Sequence, residues 1–205
     1  MDTRIGFGWD SHAFKPGVPL RIGGMTLEHP EGLAGHSDGD VLLHAITDAL
    51  LGSIAAGDIG TFFPPGDPRW KDADSAIFLN LAIEELQNAG YRIVNIDTTL
   101  ILAAPKIFPI AGEMRARVAD LLCVEIDQVS IKAKTPEGLG LDHVAQCHAV
   151  ALVERVIDPD ELKSMSAVIE TQRQLEDVVE DLLSSVHGVP KKRTIVPVFD
   201  TEDIT

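Results

Sequence analysis

Cysteine is nearly absent: Cys123 and Cys147 are the only two in 205 residues, too few and too far apart for a disulfide framework or a thiolate zinc site. No apolar run approaches the roughly 20 residues that cross a bilayer. No signal-peptide core follows Met1-Asp2-Thr3-Arg4, so no membrane partner is expected and the cytoplasm is the expected location. Positive charge is scarce as well, with 17 Lys and Arg against 32 Asp and Glu, a net charge of −15. Nucleic-acid phosphates require a broad basic surface, which excludes nucleic acid as a partner. No basic arm is hidden, because residues 156–205, with 11 acidic and 5 basic side chains, are acidic like the rest. Small anionic substrates remain open if bound divalent cations supply the local positive charge.

With 45% hydrophobic and 24% charged residues, the chain reads as one soluble catalytic-size domain, residues 1–157, followed by an acidic helical extension and mobile tail, residues 158–205. Residues 3–14 and 20–28 alternate, with turn signals at Lys15-Pro16-Gly17 and Gly23-Gly24, predicting a strand and a short hairpin. A helix is expected from Ser37 or Asp38, on the apolar stripe Val41, Leu42, Ala45, Ile46, Ala49 and Leu50, with a cap in front. Further helices are expected at 74–89, ended by Gly90, and at 109–122, with strands at 91–103, 129–135 and 145–157. The sum is an α+β fold, a mixed β-sheet with helices packed on one face. Leu162, Met165, Ile169, Leu175, Val179, Leu182 and Val186 predict the added helix.

The chemistry concentrates in three stretches. Asp10 and His12 lie two apart on the first strand and so project to one side, while His44 sits one turn into the first helix. One carboxylate and two imidazoles from two elements make an open three-ligand site for zinc or another divalent cation. Gly6, Gly8, Gly35 and Gly39 around them suit close backbone approach to a ligand. His36 and Ser37 sit where the helix is expected to begin, a place where free N–H groups attract anions; a plain capping role for Ser37 or Asp38 is equally compatible. Asp40 and Asp48 share the His44 face, either as carboxylates orienting a ligating imidazole or, for Asp40, as an exposed first-turn acid. Lys132-Ala133-Lys134-Thr135-Pro136-Glu137-Gly138 ends a strand with a hydroxyl and a carboxylate, a place for magnesium held through substrate phosphates.

The blocks R-I-G-F-G-W-D-S-H-A-F, G-H-S-D-G-D-V-L-L-H-A-I-T-D-A-L-L-G, G-D-I-G, F-F-P, D-P-R-W-K-D-A-D-S, A-P-K and K-A-K-T-P-E together resemble the 2-C-methyl-D-erythritol 2,4-cyclodiphosphate synthase family of the non-mevalonate isoprenoid pathway. They span residues 3–157 in family order. The resemblance implies a homotrimer with active sites between subunits and zinc on Asp10, His12 and His44. It implies that His36, Ser37, Asp58, Gly60 and Ser75 bind the methylerythritol end. Ala104, Pro105, Lys106 and Ile107 of a neighbouring subunit would form the cytidine pocket, and Thr135 and Glu137 would serve the diphosphate and Mg2+ or Mn2+. The implied activity is that of a phosphorus–oxygen lyase, which cyclises 4-diphosphocytidyl-2-C-methyl-D-erythritol 2-phosphate and releases CMP.

The sequence departs from the family pattern at Pro65, where relatives often carry Asp. Between Glu137 and the last strand, the run Gly138-Leu139-Gly140-Leu141-Asp142-His143 is shorter and lacks the relatives' arginine. The segment after Ile157 extends past the usual family end. Two other classes share the same residues: a zinc-dependent phosphohydrolase, and a non-catalytic trimeric protein that binds the nucleotide.

Overall fold

A computed structural model describes residues 2–64, 66–156, 171–180 and 182. The chain divides into two units, Met1–Val156 and Ile157–Thr205. In the second, residues 171–180 are helical and exposed throughout. The remainder of the helix expected there, the tail from Lys191, and Pro65 lie outside the described residues.

The first unit is built on a long strand β1 (Thr3–Pro16), followed by β2 (Leu20–Ile22), β3 (Met25–Leu27), β4 (Glu31–Leu33), α1 (Val41–Ser53), α2 (Ile59–Phe62), α3 (Ser75–Asn88), β5 (Tyr91–Ile101), α4 (Ala111–Leu122), β6 (Val129–Lys134) and β7 (Val144–Arg155). The five-stranded sheet has the order β4-β1-β7-β5-β6. Only the β5–β6 pair is parallel, so the sheet is mixed as expected. β2 and β3 form the predicted hairpin, turned by Gly23 and Gly24 at φ +67° and +70°, the left-handed pair that a two-residue turn with native twist demands. β4 is an element the pattern did not announce; three residues are too few to display alternation.

Side-chain size decides how closely the helical layer approaches the sheet. On the covered face β7 presents Ala145, Cys147, Ala149 and Ala151, all fully buried, and β1 presents Gly6 and Gly8 opposite Ala151 and Ala149. A Cβ at Gly6 would lie 1.7 Å from the Ala49 carbonyl oxygen, and one at Gly8 would lie 2.0 Å from that of Ala45. These glycines therefore admit the backbone of α1, not a ligand as their position near Asp10 suggested. Burial of α1 is nearly complete, Val41 to Leu43, Ala45, Ile46 and Ala49 to Leu51 having no exposed surface. α1 packs against β1 and β7 on one side and α3 on another, which is where a largely apolar helix belongs.

The helix begins at Val41, where its apolar stripe begins, and not at Ser37 or Asp38 as expected. Gly39 has φ +74°, which interrupts any helical run through Asp38, and Asp40 is the N-cap. Its carboxylate is 0% exposed and accepts four backbone N–H bonds, from Gly23 at 2.9 Å, Gly24 at 2.7 Å, Leu42 at 3.2 Å and Leu43 at 3.0 Å. Asp40 thus pins the β2–β3 turn to the start of α1. The exposed first-turn acid and the imidazole-orienting acid are both corrected: four N–H donors saturate it, and no histidine is among its partners.

On the uncovered face of the same sheet, Ile5, Phe7 and Trp9 of β1 are 70%, 61% and 49% exposed, next to Leu152, Val150 and His148 of β7 in the register. The His148 ring lies 5.9 Å from Phe7 and 6.5 Å from Trp9. A contiguous exposed apolar band of this kind marks a binding surface more often than chance exposure.

Candidate functional site

Asp10 and His12 leave β1 on the α1 side because they continue the Gly6, Gly8 row, and His44 comes down from the first turn of α1 onto the same point. Asp10 Oδ2 lies 2.9 Å from His12 Nε2 and 2.9 Å from His44 Nδ1, and the two ring nitrogens are 3.1 Å apart. Among the described residues this is the one group of three or more His, Cys, Asp or Glu side chains able to hold a metal.

The hydrogen-bond network determines what the triangle presents. His12 Nδ1 lies 2.6 Å from the Ala34 carbonyl oxygen, which only accepts, so that nitrogen carries the proton and Nε2 offers a lone pair. His44 Nε2 lies 2.8 Å from Ser75 Oγ, and Ser75 Oγ gives its own proton to Asp38 Oδ1. His44 Nε2 must therefore donate, which leaves Nδ1 with a lone pair. Two imidazole lone pairs and a carboxylate oxygen then converge with no proton between them when both rings are neutral. Such an arrangement demands a cation. Ligand bonds of 2.0–2.2 Å in a tetrahedral site set neighbouring ligand atoms about 3.3 Å apart, so the triangle accepts zinc after opening by a few tenths of an ångström. Burial works against a charge on His12, but the hydrogen bond and charge of Asp10 outweigh it and raise His12 above its usual value. Burial likewise pushes Asp10 upward, and the two histidines overcome it to hold the carboxyl well below the ordinary carboxylate range.

Around the triangle the structure sorts the sequence-predicted residues into different roles. Ser37 Oγ is 3.2 Å from His44 Nε2 and partly exposed. The His36 ring is exposed and donates through Nε2 to the Asp67 carbonyl at 2.9 Å, while its own carbonyl accepts the Asp72 N–H. His36 and Ser37 therefore sit in the loop before α1 and not at its first turn. Asp58 caps α2, accepting the Thr61 N–H at 2.9 Å, and Gly60 lies in that turn. Asp48 accepts the Ile59 N–H at 2.8 Å, so it anchors the Asp58–Gly60 turn to α1; like Asp40, it does not orient an imidazole. Burial raises the Asp48 carboxyl above its usual value. Ser75 departs furthest from expectation, because it is 0% exposed and its hydroxyl is committed to His44 and Asp38. Phe63, Trp70 and Phe78 stack beside the site, with Phe78 6.0 Å from the His44 ring and 4.4 Å from Phe63. Sequence reading missed this aromatic wall, although the spacing of Phe63, Trp70 and Phe78 after the Gly-Asp-Ile-Gly turn was a usable signal.

The second group of predicted residues gathers elsewhere. Leu102, Pro105, Lys106, Ile107, Ala133 and Thr135 line a cavity of about 180 Å³, with Ala104 joined to Pro105 by a cis peptide. Thr135 Oγ1 donates to Glu137 Oε1 in an exposed turn where Glu137 has φ +51°. Glu137 offers one carboxylate, enough for a hard cation that takes its other ligands from phosphate oxygens and water. Both groups lie at the same end of the sheet, since β1, β5 and β6 run in one direction. In the order β1-β7-β5-β6 the segment after β5 is two strands from β1 and that after β6 three, roughly 10–14 Å at ordinary strand spacing. One chain does not bring them together.

Comparison with known proteins converges on one family. Residues 3–154 match the YgbB family. The chain is 59% identical over 152 residues to a 2-C-methyl-D-erythritol 2,4-cyclodiphosphate synthase of Koribacter versatilis (strain Ellin345), covering 74% of this chain and 98% of that protein. It is 53% identical over 137 residues to the synthase of Moorella thermoacetica, covering 67% and 84%. Among solved structures, a 2C-methyl-D-erythritol-2,4-cyclodiphosphate synthase in a CDP-bound form is similar at TM-score 0.70 and 37% identity, over 74% of this chain and 100% of that one. The Plasmodium falciparum CDP complex gives TM-score 0.66 at 33% identity, over 75% and 97%. The chain belongs to the YgbB family, that of the 2-C-methyl-D-erythritol 2,4-cyclodiphosphate synthases.

Proposed function

We propose that this protein converts 4-diphosphocytidyl-2-C-methyl-D-erythritol 2-phosphate into 2-C-methyl-D-erythritol 2,4-cyclodiphosphate and CMP, as a phosphorus–oxygen lyase. The observation that carries the reading is the convergence of Asp10, His12 and His44 lone pairs within 3.1 Å of one another in a chain of this family. When bound, zinc on these three residues and magnesium or manganese at Glu137 supply charge neutralisation and polarisation of phosphoryl oxygens. The chain's own residues supply position. The substrate's 2-phosphate is already a nucleophile near neutral pH, so no general base is required. Confinement turns its attack on the β-phosphorus into an oriented intramolecular step. His36 and Ser37, in the loop over the metal site, and the Asp58–Gly60 turn hold the methylerythritol end. The wall of Phe63, Trp70 and Phe78 keeps bulk water from one side of His44, which favours cyclisation over hydrolysis. The cavity beside Pro105 and Lys106 takes the cytidine, with Thr135 and Glu137 at the diphosphate.

The assembly we propose is a homotrimer whose active sites are each completed by the Ala104–Ile107 and Thr135–Glu137 segments of a neighbour. Two features support it. One is the roughly 10–14 Å across the sheet between the two residue groups within one chain; the other is the exposed Ile5, Phe7 and Trp9 band. We assign catalysis to residues 1–157 and treat 158–205 as an appendage, so truncation after Ile157 is expected to leave turnover and assembly mass unchanged.

Incubation with the diphosphocytidyl substrate, followed by phosphorus NMR with and without a chelator, tests the reading. Equimolar CMP and a cyclic diphosphate, abolished by chelation and restored by zinc plus magnesium, are expected. A linear phosphate product would instead identify a hydrolase, and nucleotide binding without turnover a non-catalytic protein; either refutes the assignment.

A further inference from the structure

We propose that Ser75 and Asp38 are positioning residues for the metal ligand His44, forming a carboxylate–hydroxyl–imidazole relay that sets which nitrogen of His44 faces the metal and how strongly it binds. The proposal rests on the metal reading above and goes beyond the three ligands. His44 Nε2 lies 2.8 Å from Ser75 Oγ. Ser75 Oγ donates to Asp38 Oδ1, and Asp38 Oδ2 in turn accepts the Ser75 backbone N–H at 3.2 Å. A hydroxyl has one proton, and the carboxylate, as an acceptor only, takes it. The oxygen is then left as an acceptor aimed at His44, which fixes the Nε2–H tautomer and frees Nδ1 for the metal. Histidine ligands commonly owe their tautomer, ring orientation and basicity to such an outer partner. His12 has the simpler version of the same device in the Ala34 carbonyl at 2.6 Å from Nδ1.

Three further observations distinguish the relay from an incidental contact. Ser75 is fully buried, so its hydroxyl has no solvent alternative to His44 and Asp38. Asp38 is held from its own side, since its backbone N–H donates to the Ala73 carbonyl at 3.0 Å and its Oδ1 accepts the Asp40 N–H at 3.2 Å. The loop ahead of α1 and the first residue of α3 are thus locked together through the metal ligand's partner. Ser37 also approaches His44 Nε2, at 3.2 Å, but it is the longer contact and is partly exposed. The division of labour is that Ser75 holds the imidazole and Ser37 remains available to the substrate side.

The test measures zinc affinity of the full-length protein by competition with a chromophoric chelator, and the visible spectrum of the cobalt(II)-loaded protein, for Ser75→Ala, Ser75→Thr, Asp38→Asn, Ser37→Ala and His44→Ala. Loss of an outer partner typically weakens metal binding 10–100-fold. That loss is expected for Ser75→Ala, with a shifted or weakened cobalt spectrum and an unchanged far-UV circular dichroism spectrum. Ser75→Thr, which keeps the hydroxyl, is expected to stay within about threefold of wild type, and Asp38→Asn to fall in between. Ser37→Ala is expected to bind zinc as wild type does. Wild-type affinity and spectrum in Ser75→Ala, with binding lost in His44→Ala, would overturn the relay and leave the metal site standing. Absence of zinc binding by the wild-type protein would overturn both. Should Ser75→Ala fail to fold, Asp38→Asn decides: unchanged zinc affinity there refutes the relay.

Discussion

Replacing Gly8 with alanine should damage the metal site and the core together, although Gly8 is neither a metal ligand nor a large core side chain. Its added Cβ would stand 2.0 Å from the Ala45 carbonyl oxygen and 2.7 Å from the Ala49 nitrogen. Ordinary contact begins near 3.4 Å, so β1 and α1 must separate locally by about 1.4 Å, both obstructing atoms being backbone that no rotamer change moves aside. Overpacking of this kind costs about 1–3 kcal/mol, and with backbone on both sides the upper end applies. For a unit of about 150 residues that corresponds to a fall in Tm of roughly 6–12 °C. The same separation acts on chemistry, because Ala45 follows His44 and Asp10 follows Gly8 by two residues on the same face. Metal–ligand distances tolerate about 0.2 Å, so zinc affinity should fall by at least the roughly 10–100-fold that loss of an outer partner costs. Calorimetry of the metal-free protein gives the first number and chelator competition the second. Gly6→Ala separates the two effects: its Cβ would meet Ala49 and Ser53, more than a turn beyond His44, so it should destabilise comparably and weaken zinc less. A Gly8→Ala protein with a Tm within 2 °C of wild type and unchanged zinc binding would falsify the close-approach reasoning.

Asp40→Ala should lower Tm by roughly 6–12 °C, the equivalent of about 3 kcal/mol for removing a helix cap and stranding buried N–H groups; a drop under 2 °C in a thermal melt would count against the pinning role. Asp48→Asn should stabilise the metal-free protein at pH 7. Burial raises the folded-state pKa of Asp48, so its favourable contribution is present below the unfolded value of about 3.9 and lost as pH rises through the folded value. The gain should vanish in melts below about pH 4, and an equal gain at both pH values would contradict burial as the cause. Phe7→Asp and Trp9→Asp should yield monomers by light scattering with turnover lost, since each proposed active site needs a neighbour; fully active monomers would refute the shared site.

Much of the fold was legible because periodicity and punctuation agree along this chain. The apolar stripe of Val41, Leu42, Ala45, Ile46, Ala49 and Leu50 predicted a helix, and Gly90, with φ +79°, closed α3 where expected. The Gly23-Gly24 pair announced a hairpin. What escaped were features without a local pattern: β4, which exists only because Phe14 to Pro16 offer it a partner, and the late start of α1, decided by Gly39.

The sequence by itself determined the element types and the ligand trio. Alternation aims Asp10 and His12 to one side, a helical phase presents His44, and a carboxylate with two imidazoles has the chemistry of an open divalent-cation site. Only tertiary structure decided which lone pairs the trio presents. That depends on the Ala34 carbonyl, Ser75 and Asp38, groups whose roles are invisible until strand, loop and two helices meet. Only packing, too, turned Asp40 into a saturated cap and Gly6 and Gly8 into a bed for α1. Hydrogen bonds and close contacts belong to pairs of residues far apart in the chain, whereas periodicity and residue chemistry belong to each segment alone.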